Sequence, residues 1–366
     1  MNLSRRNIGV EKLKKKQIAL EEQILNTRKE IRTDRMDMSF GEIMNMYEEE
    51  ELVISPEFQR AFRWKEDMQT RFIESLLLGI PIPPIFVAET GDNVWELVDG
   101  LQRLSTILSF FGKLKDENKN NLKLTKTSIL TKLEDITIET LPFNFKLLLK
   151  RAVCRVEVIR FDSEFDMRYE LFNRLNTGGV KLSEQEIRNC IFRPYDNKFN
   201  KFLQDIAKED YFRNIVKIKK EEQEKMYAQE LVLRYFTLKN YGATFELNIQ
   251  KHMDDYMLKI SKKELEFNYK EERDSFAKLC ERLGGLNENV FKLSPLNFST
   301  SMYDALMVNL GRNLELLDRI SDTELLKRIN ELKVDKDFRK NTNAASSSRY
   351  RINNKIEIAE QILFKE

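Results

Sequence analysis

Asp99-Gly100-Leu101-Gln102-Arg103 is the segment of this sequence whose residue types and spacing could do chemistry. It stands where a strand-like run, VWELV, hands over to a helix-like run, LQRLSTILSFF. The start of a helix offers free backbone N–H groups at the positive end of its dipole, a ready place for an anion. Gly100 allows a ligand to approach the backbone closely. Arg103 stands one turn in, where its guanidinium can fork onto a phosphate, and the Asp99 carboxylate at the strand's end can hold Mg²⁺ or orient a water. Bonds of this charge-assisted kind are worth about 1.5–3 kcal/mol each, so two or three support micromolar binding of a nucleotide after entropic costs. The plainer reading makes Asp99 an N-cap and Arg103 a surface cation, and the pentapeptide alone does not choose between the two.

Two further clusters bear on that choice. Gln59-Arg60 with Arg63 and Trp64 places an amide, two guanidiniums and an indole in one loop, a set suited to phosphate and base recognition. FNRLNTGGVKLSEQE supplies Arg174, Asn176 and Lys181 around the flexible pair Gly178-Gly179, as a lid or phosphate-contacting loop does. Each has a plainer alternative: Trp64 as a core anchor, and the Gly-Gly pair as a simple helix stop.

The elements that must position these residues can be read from periodicity. Residues 10–33 put Leu13, Leu20, Ile24 and Ile31 on one stripe of a charged helix, predicted to pack on its own domain. A short coiled coil is the alternative, since these residues fit a and d positions, with Gln17 and Thr27 filling the others. Ser39 with Glu42 is a capping-box pattern opening a helix through Tyr47, and Leu52–Ser55 reads as a strand. A helix from about Lys65 to Leu78 is predicted to turn Met68, Phe72, Leu76 and Leu77 inward, and the Pro81–Pro84 run ends it. IFVAE and VWELV form a hairpin about Gly91-Asp92-Asn93. The following helix buries Leu104, Ile107, Leu108 and Phe111, and Gly112 is its C-cap glycine. Residues 113–140 form a lysine-rich excursion with weak strands. A strand over Arg151–Phe161, a helix EFDMRYELFNRL and a capping box at Ser183 and Glu186 follow, and beyond Asn197 amphipathic helices dominate. The predicted organisation is a charged N-terminal helix over 1–38, an α+β domain over 39–196 and an all-helical domain over 197–366.

Composition narrows the chemistry. Among 366 residues, 41% hydrophobic and 33% charged, there are 24 Phe and 11 Tyr, enough apolar mass for packed cores. The 62 Lys and Arg nearly cancel 60 Asp and Glu, leaving +2, so a nucleic-acid surface would have to be local. His252 is the single histidine, which excludes His-dependent triads and two-His metal centres and leaves it a surface or packing role. Cys154, Cys190 and Cys280 lie far apart, with neither disulfide nor zinc spacing. With no signal-peptide pattern and no membrane-length apolar run, a cytoplasmic protein is expected and a membrane is not among its expected partners.

Pro56-x-x-Gln59-Arg60-x-x-x-Trp64, ESLLLGIPIPPIF, VDGLQRLSTI and FNRLNTGGVKLSEQEIRN, in this order, resemble the N-terminal domain of GmrSD-type modification-dependent restriction enzymes, of the ParB/sulfiredoxin-like superfamily. The likeness spans about Ser39 to Phe192, and the RYRINNKIEIAEQIL end is similar to the tail common in that family. It implies a ParB-like small mixed sheet with helices that binds nucleoside triphosphate and couples its hydrolysis to sensing of modified or foreign DNA, in a prokaryotic or phage-linked defence system. Carried over by position, Asp99, Gly100, Gln102 and Arg103 form the signature loop, Gln59 and Arg60 the upstream arm and Asn176 the downstream loop. Catalysis is then expected of Asp99, Gln102 and Arg103, with Asp99 on Mg²⁺. Nucleotide binding is expected of Gln59, Arg60, Arg63, Gly100, Ser105, Arg174, Asn176 and Lys181.

The chain departs from the family at two places. Relatives usually carry Gln where this chain has Leu101, which implies weakened turnover with binding retained if that Gln contacts nucleotide or water. Many relatives also carry a His-Asn-His nuclease domain, which one histidine cannot build, so cleavage implies a partner nuclease subunit. A homodimer is a further expected partner. Two alternatives stay open: a ParB-like metal-dependent nuclease or nickase using Asp99 with Glu57 or Glu96, and a non-catalytic DNA-binding adaptor.

Overall fold

The computed structural model describes residues 14–26, 33–55, 62–90, 93–160, 174, 182–192, 197–219, 222, 226–242, 248–286, 289–293, 298–342 and 347–365. The chain divides into two compact units, Met1–Leu182 and Ser183–Glu366. The first carries a five-stranded mixed sheet and the second is built of helices, the α+β class the sequence predicts.

Residues 14–26 form α1, and every one of them is exposed, so the helix expected to pack on its own domain leaves its apolar stripe in solvent. The predicted helix also ran too far, because Thr33–Ser39 is β1. TDRMDMS shows no hydrophobic alternation because β1 lies at the edge of the sheet and is held by charge across the ladder. Arg35 Nε meets Glu157 at 3.0 Å, Arg155 Nε meets Asp37 at 3.1 Å and Arg160 Nε meets Asp34 at 2.7 Å. Ser39 then caps α2 (Phe40–Glu48), its Oγ accepting from the Glu42 N–H at 3.1 Å as the capping box requires.

After β2 (Leu52–Val53), α3 (Glu66–Leu77) buries Phe72, Ile73 and Leu76, but Met68 is exposed; the inward face runs through Gln69, Phe72, Ile73 and Leu76 instead. β3 (Ile85–Glu89) and β4 (Trp95–Asp99) form the predicted hairpin, with Asn93 in the left-handed region at φ 59°. α4 (Leu101–Phe110) ends in a Schellman motif: Gly112 at φ 69° donates to Ser109 O and Lys113 N–H donates to Leu108 O, while Phe110 rather than Phe111 is fully buried. Residues 113–140 contain two 3₁₀ turns, Glu117–Lys119 and Thr131–Leu133, and none of the weak strands expected there. Backbone bonds of Leu124 with Asp135 and Ile136, together with side chains, fasten this excursion. Buried Glu74 Oε1 accepts Thr127 Oγ1 at 2.5 Å and the Leu130 N–H at 2.8 Å.

Helix α5 (Phe143–Arg151), which periodicity does not reveal, leads into β5 (Val153–Ile159). The sheet order is β1-β5-β3-β4-β2, with β5–β3 and β4–β2 parallel and the other pairs antiparallel. The helix expected over EFDMRYELFNRL lies, apart from Arg174, outside the described residues.

The second unit opens with α6 (Glu184–Phe192), behind a complete capping box: the Ser183 N–H donates to Glu186 Oε2 at 2.7 Å, and the Glu186 N–H donates to Ser183 Oγ at 3.2 Å. There follow α7 (Asn197–Lys208), α8 (Asp210–Ile215), α9 (Tyr227–Phe236), α10 (Ile249–Ser261), α11 (Tyr269–Gly284), α12 (Thr300–Arg312), α13 (Asp322–Val334) and α14 (Arg349–Leu363). The sequence put the domain boundary at 196, whereas the compact units part at Leu182 and Ser183 because α6 packs against α7, α9 and α10. Its Arg188 is wholly buried, with Nε donating to Asp254 at 2.6 Å and Nη2 to Gln250 Oε1 at 2.5 Å. A buried charge so well partnered fixes helix register, and removing one partner costs about 3–5 kcal/mol. His252 is a packing residue. It is 5% exposed, its Nε2 is 2.9 Å from Gly242 O, its ring stacks on Tyr241, and burial lowers its pKa. Among the described residues no helix is long and apolar enough to cross a membrane.

Candidate functional site

The signature loop is built by a strand ending, a glycine and a helix start. In β4 the register passes from Val87↔Leu97 to Phe86↔Asp99, so Val98 is an extra residue and the bulge re-aims Asp99 as it leaves the sheet. Gly100 caps α4 with φ 100° and ψ 12°, a left-handed conformation costly to other residues. A Cβ there would stand 2.5 Å from Ile85 Cγ2 and 3.3 Å from Arg103 Nη2, so glycine is required twice over. It makes no side-chain cap bond of the kind a Ser or Asp would make at the start of α4.

Arg103 and Asp99, for which sequence reading predicts separate partners, face each other. Arg103 Nη2 donates to Asp99 Oδ2 at 3.0 Å and to the Pro84 carbonyl at 2.9 Å, tying the end of β4 and the Pro81–Pro84 run to α4. The side chain is 17% exposed, and its buried Nε has no hydrogen-bond partner among the described residues. A buried guanidinium donor left unpaired is costly, and an acceptor brought to it would recover that cost. Asp99 brings one carboxylate, already paired, and among the described residues no three His, Cys, Asp or Glu side chains cluster as metal ligands do. Among the described residues the site thus offers the expected Mg²⁺ a single carboxylate, which would leave the remaining ligands to water and phosphate oxygens.

Gln102, expected in catalysis, joins the upstream loop to α4. Its Oε1 accepts the N–H groups of Arg63 at 3.1 Å and Trp64 at 3.0 Å, latching the upstream loop onto α4. Trp64 in turn packs edge-on against Phe72 at 6.0 Å, the core-anchor alternative, and its carbonyl accepts Gln69 Nε2 at 2.8 Å. Arg63 is thereby brought beside the loop with its side chain exposed. The latch joins residues 38 and 39 positions apart, and no local signal could have shown it.

Leu101 is 7% exposed and belongs to the core, and Ser105 is buried at 2%. Cys154 is buried on β5, where burial pushes its thiol up despite the Arg103 charge, which argues against thiolate chemistry. Glu96, the candidate second carboxylate for a nuclease, is 5% exposed within β4. Arg174 is exposed, while Gln59, Arg60, Asn176, Lys181 and Glu57 lie outside the described residues.

Residues 40–193 match the family model of the GmrSD restriction endonuclease N-terminal domain. No curated protein and no solved structure matches the chain.

Proposed function

Because residues 40–193 form a GmrSD-type N-terminal domain, a domain of restriction and phage-defence systems, we propose that this chain is the nucleotide-binding, NTP-hydrolysing, DNA-sensing part of such a system. The observation that carries the reading is the glycine-led, side-chain-uncapped start of α4 beside Arg103, whose buried Nε has no partner among the described residues. Both features offer donors to an anion at one place, as a triphosphate demands. In this reading Arg103 and Arg63 neutralise phosphate charge, Gly100 admits it to the backbone and Asp99 holds the Arg103 fork in position. Gln59, Arg60, Ser105, Arg174, Asn176 and Lys181 stay in the proposed nucleotide set on the strength of the sequence alone. Mg²⁺ enters as part of the nucleotide salt, not as a resident ion. Cleavage of DNA falls to a partner nuclease, since the one imidazole of this chain serves in packing.

Calorimetry of the purified protein against the Mg²⁺ salts of ATP, GTP, CTP and UTP, with phosphate release followed in the same samples with and without DNA, tests the reading. Saturable binding of one or more nucleotides with DNA-stimulated turnover is expected; no binding by folded protein overturns it. A second reading, a nucleotide-gated clamp that binds without turnover, is favoured by two observations. Leu101, at the position where the resemblance implies Gln, is an apolar residue buried in the core, and Gln102 Oε1 accepts the Arg63 and Trp64 amides, which supports binding without turnover.

A further inference from the structure

α1 shows its apolar residues to water: Ile18 is 57% exposed, Leu20 53%, Ile24 48% and Leu25 52%. A helix of this length is marginal alone in water and takes most of its stability from a packed apolar face. In α1 that face has no cover among the described residues of its unit. Leu20 and Ile24 fall on the stripe that the sequence continues to Leu13 and Ile31, at the d and a positions of a heptad in which Gln17 is an a residue. Lys16 then occupies g and Glu21 occupies e. In a parallel, in-register pair each g residue meets the e residue five positions on in the other helix, so Lys16 of each copy faces Glu21 of the other. Ile18 and Leu25, seven residues apart, lie on the neighbouring face outside this seam.

We propose that α1 is a self-association helix through which two copies of this chain pair as a short parallel coiled coil, with Leu20 and Ile24 in the seam and Lys16–Glu21 contacts flanking it. Reciprocal charge on either side of an apolar stripe selects a second copy over an arbitrary apolar partner. The inference does not depend on the nucleotide site. A competing apolar surface exists in the same unit, a groove of about 680 Å³ lined by Leu76, Ile80, Ile82, Leu148, Arg151 and Val153.

Sedimentation of the full chain over about 1–100 μM decides the matter, a range that spans the affinities of weak and moderate complexes. The wild type is expected to sediment as a dimer and Ile24→Asp as a monomer with an unchanged melting temperature, since residue 24 touches no core. Lys16→Glu and Glu21→Lys each place like charges across both flanks and are expected to weaken dimerisation about tenfold. An equimolar mixture of the two restores opposite charges on both flanks, and the dimer with them. A monomeric wild type overturns the proposal, as does an Ile24→Asp dimer or a mixture no stronger than its components. Loss of the dimer in Leu148→Asp with retention in Ile24→Asp moves the interface to the groove and equally overturns it.

Discussion

Arg103 Nη2 reaches back one helical turn to the Asp99 carboxylate at 3.0 Å while also donating to Pro84 O at 2.9 Å. One nitrogen thus fastens three pieces of chain: the end of β4, the proline run before β3 and the first turn of α4. The rest of the guanidinium is held in place by that anchorage, with Nε buried and without a partner among the described residues. A cation fixed in this way loses little conformational freedom when an anion arrives, which favours binding.

Arg103→Ala removes both the anchorage and the candidate phosphate donor. Nucleotide affinity is expected to fall at least tenfold in calorimetry, the loss of one charge-assisted bond of about 1.5–3 kcal/mol, with a melting temperature lower by only a few degrees. Arg103→Lys keeps the charge without the fork and is expected to bind with intermediate affinity. Wild-type affinity in a folded Arg103→Ala protein removes Arg103 from the site.

Gly100→Ala meets two independent penalties. Backbone strain at φ 100° costs about 1–3 kcal/mol, and the 2.5 Å approach to Ile85 Cγ2 adds overpacking of similar size. The first unit is expected to melt at least several degrees lower, on the rule of about 2–4 °C per kcal/mol for domains of this size. Ile85→Ala combined with Gly100→Ala relieves the clash but not the strain, so it is expected to recover less than half of what Gly100→Ala loses beyond Ile85→Ala alone. Full recovery would mean that the left-handed backbone carries no cost here.

Gln102→Ala leaves the Arg63 and Trp64 amides without their shared acceptor. A net cost of about 1–2 kcal/mol is expected, read most directly by hydrogen exchange. Protection should fall at Arg63 and Trp64 and persist in α3 and α4. Uniform loss of protection across the unit would instead assign Gln102 a global structural role.

What the sequence disclosed is local. Ser39, Ser183 and Gly112 act through bonds to residues three to five positions away, and each does in the structure what its type and spacing predict. The β3–β4 hairpin and the helical second unit follow from periodicity in the same way. β1 was hidden because an exposed edge strand held by ion pairs has no apolar alternation, and α5 because Phe143, 72% exposed, and Phe145, 41% exposed, blur its buried face. At the candidate site, the position of the loop was legible but its wiring was not. The Asp99–Arg103 pair and the Gln102 latch depend on a bulge, a left-handed glycine and a loop from another part of the chain, none of which spacing encodes.

Lys355 offers a test of the second unit through pH. Its Nζ is buried on α14, 3.0 Å from Ser301 Oγ and 3.8 Å from Asp304, whose carboxylate is held by Arg234 at 2.5 and 2.7 Å. Burial pushes the pKa of Lys355 down to about 8; Asp304 opposes the shift, and the Arg234 and Arg351 charges reinforce it. Between pH of about 8 and the ordinary lysine value the unfolded chain holds a proton that the folded chain has released. In that window this group makes stability rise with pH, by up to about 3 kcal/mol at about 1.4 kcal/mol per pKa unit. Lys355→Met removes the titration while leaving the Arg234–Asp304 pair intact, and replacing a buried charge by an apolar chain is often neutral or stabilising. Thermal melts at pH 7 and pH 10 are therefore expected to show Lys355→Met at least as stable as the wild type at pH 7, with the gap shrinking or reversing at pH 10 because the wild type alone gains from releasing its proton. A gap that stays constant with pH would mean that Lys355 titrates normally in the folded protein and is not buried as a charge.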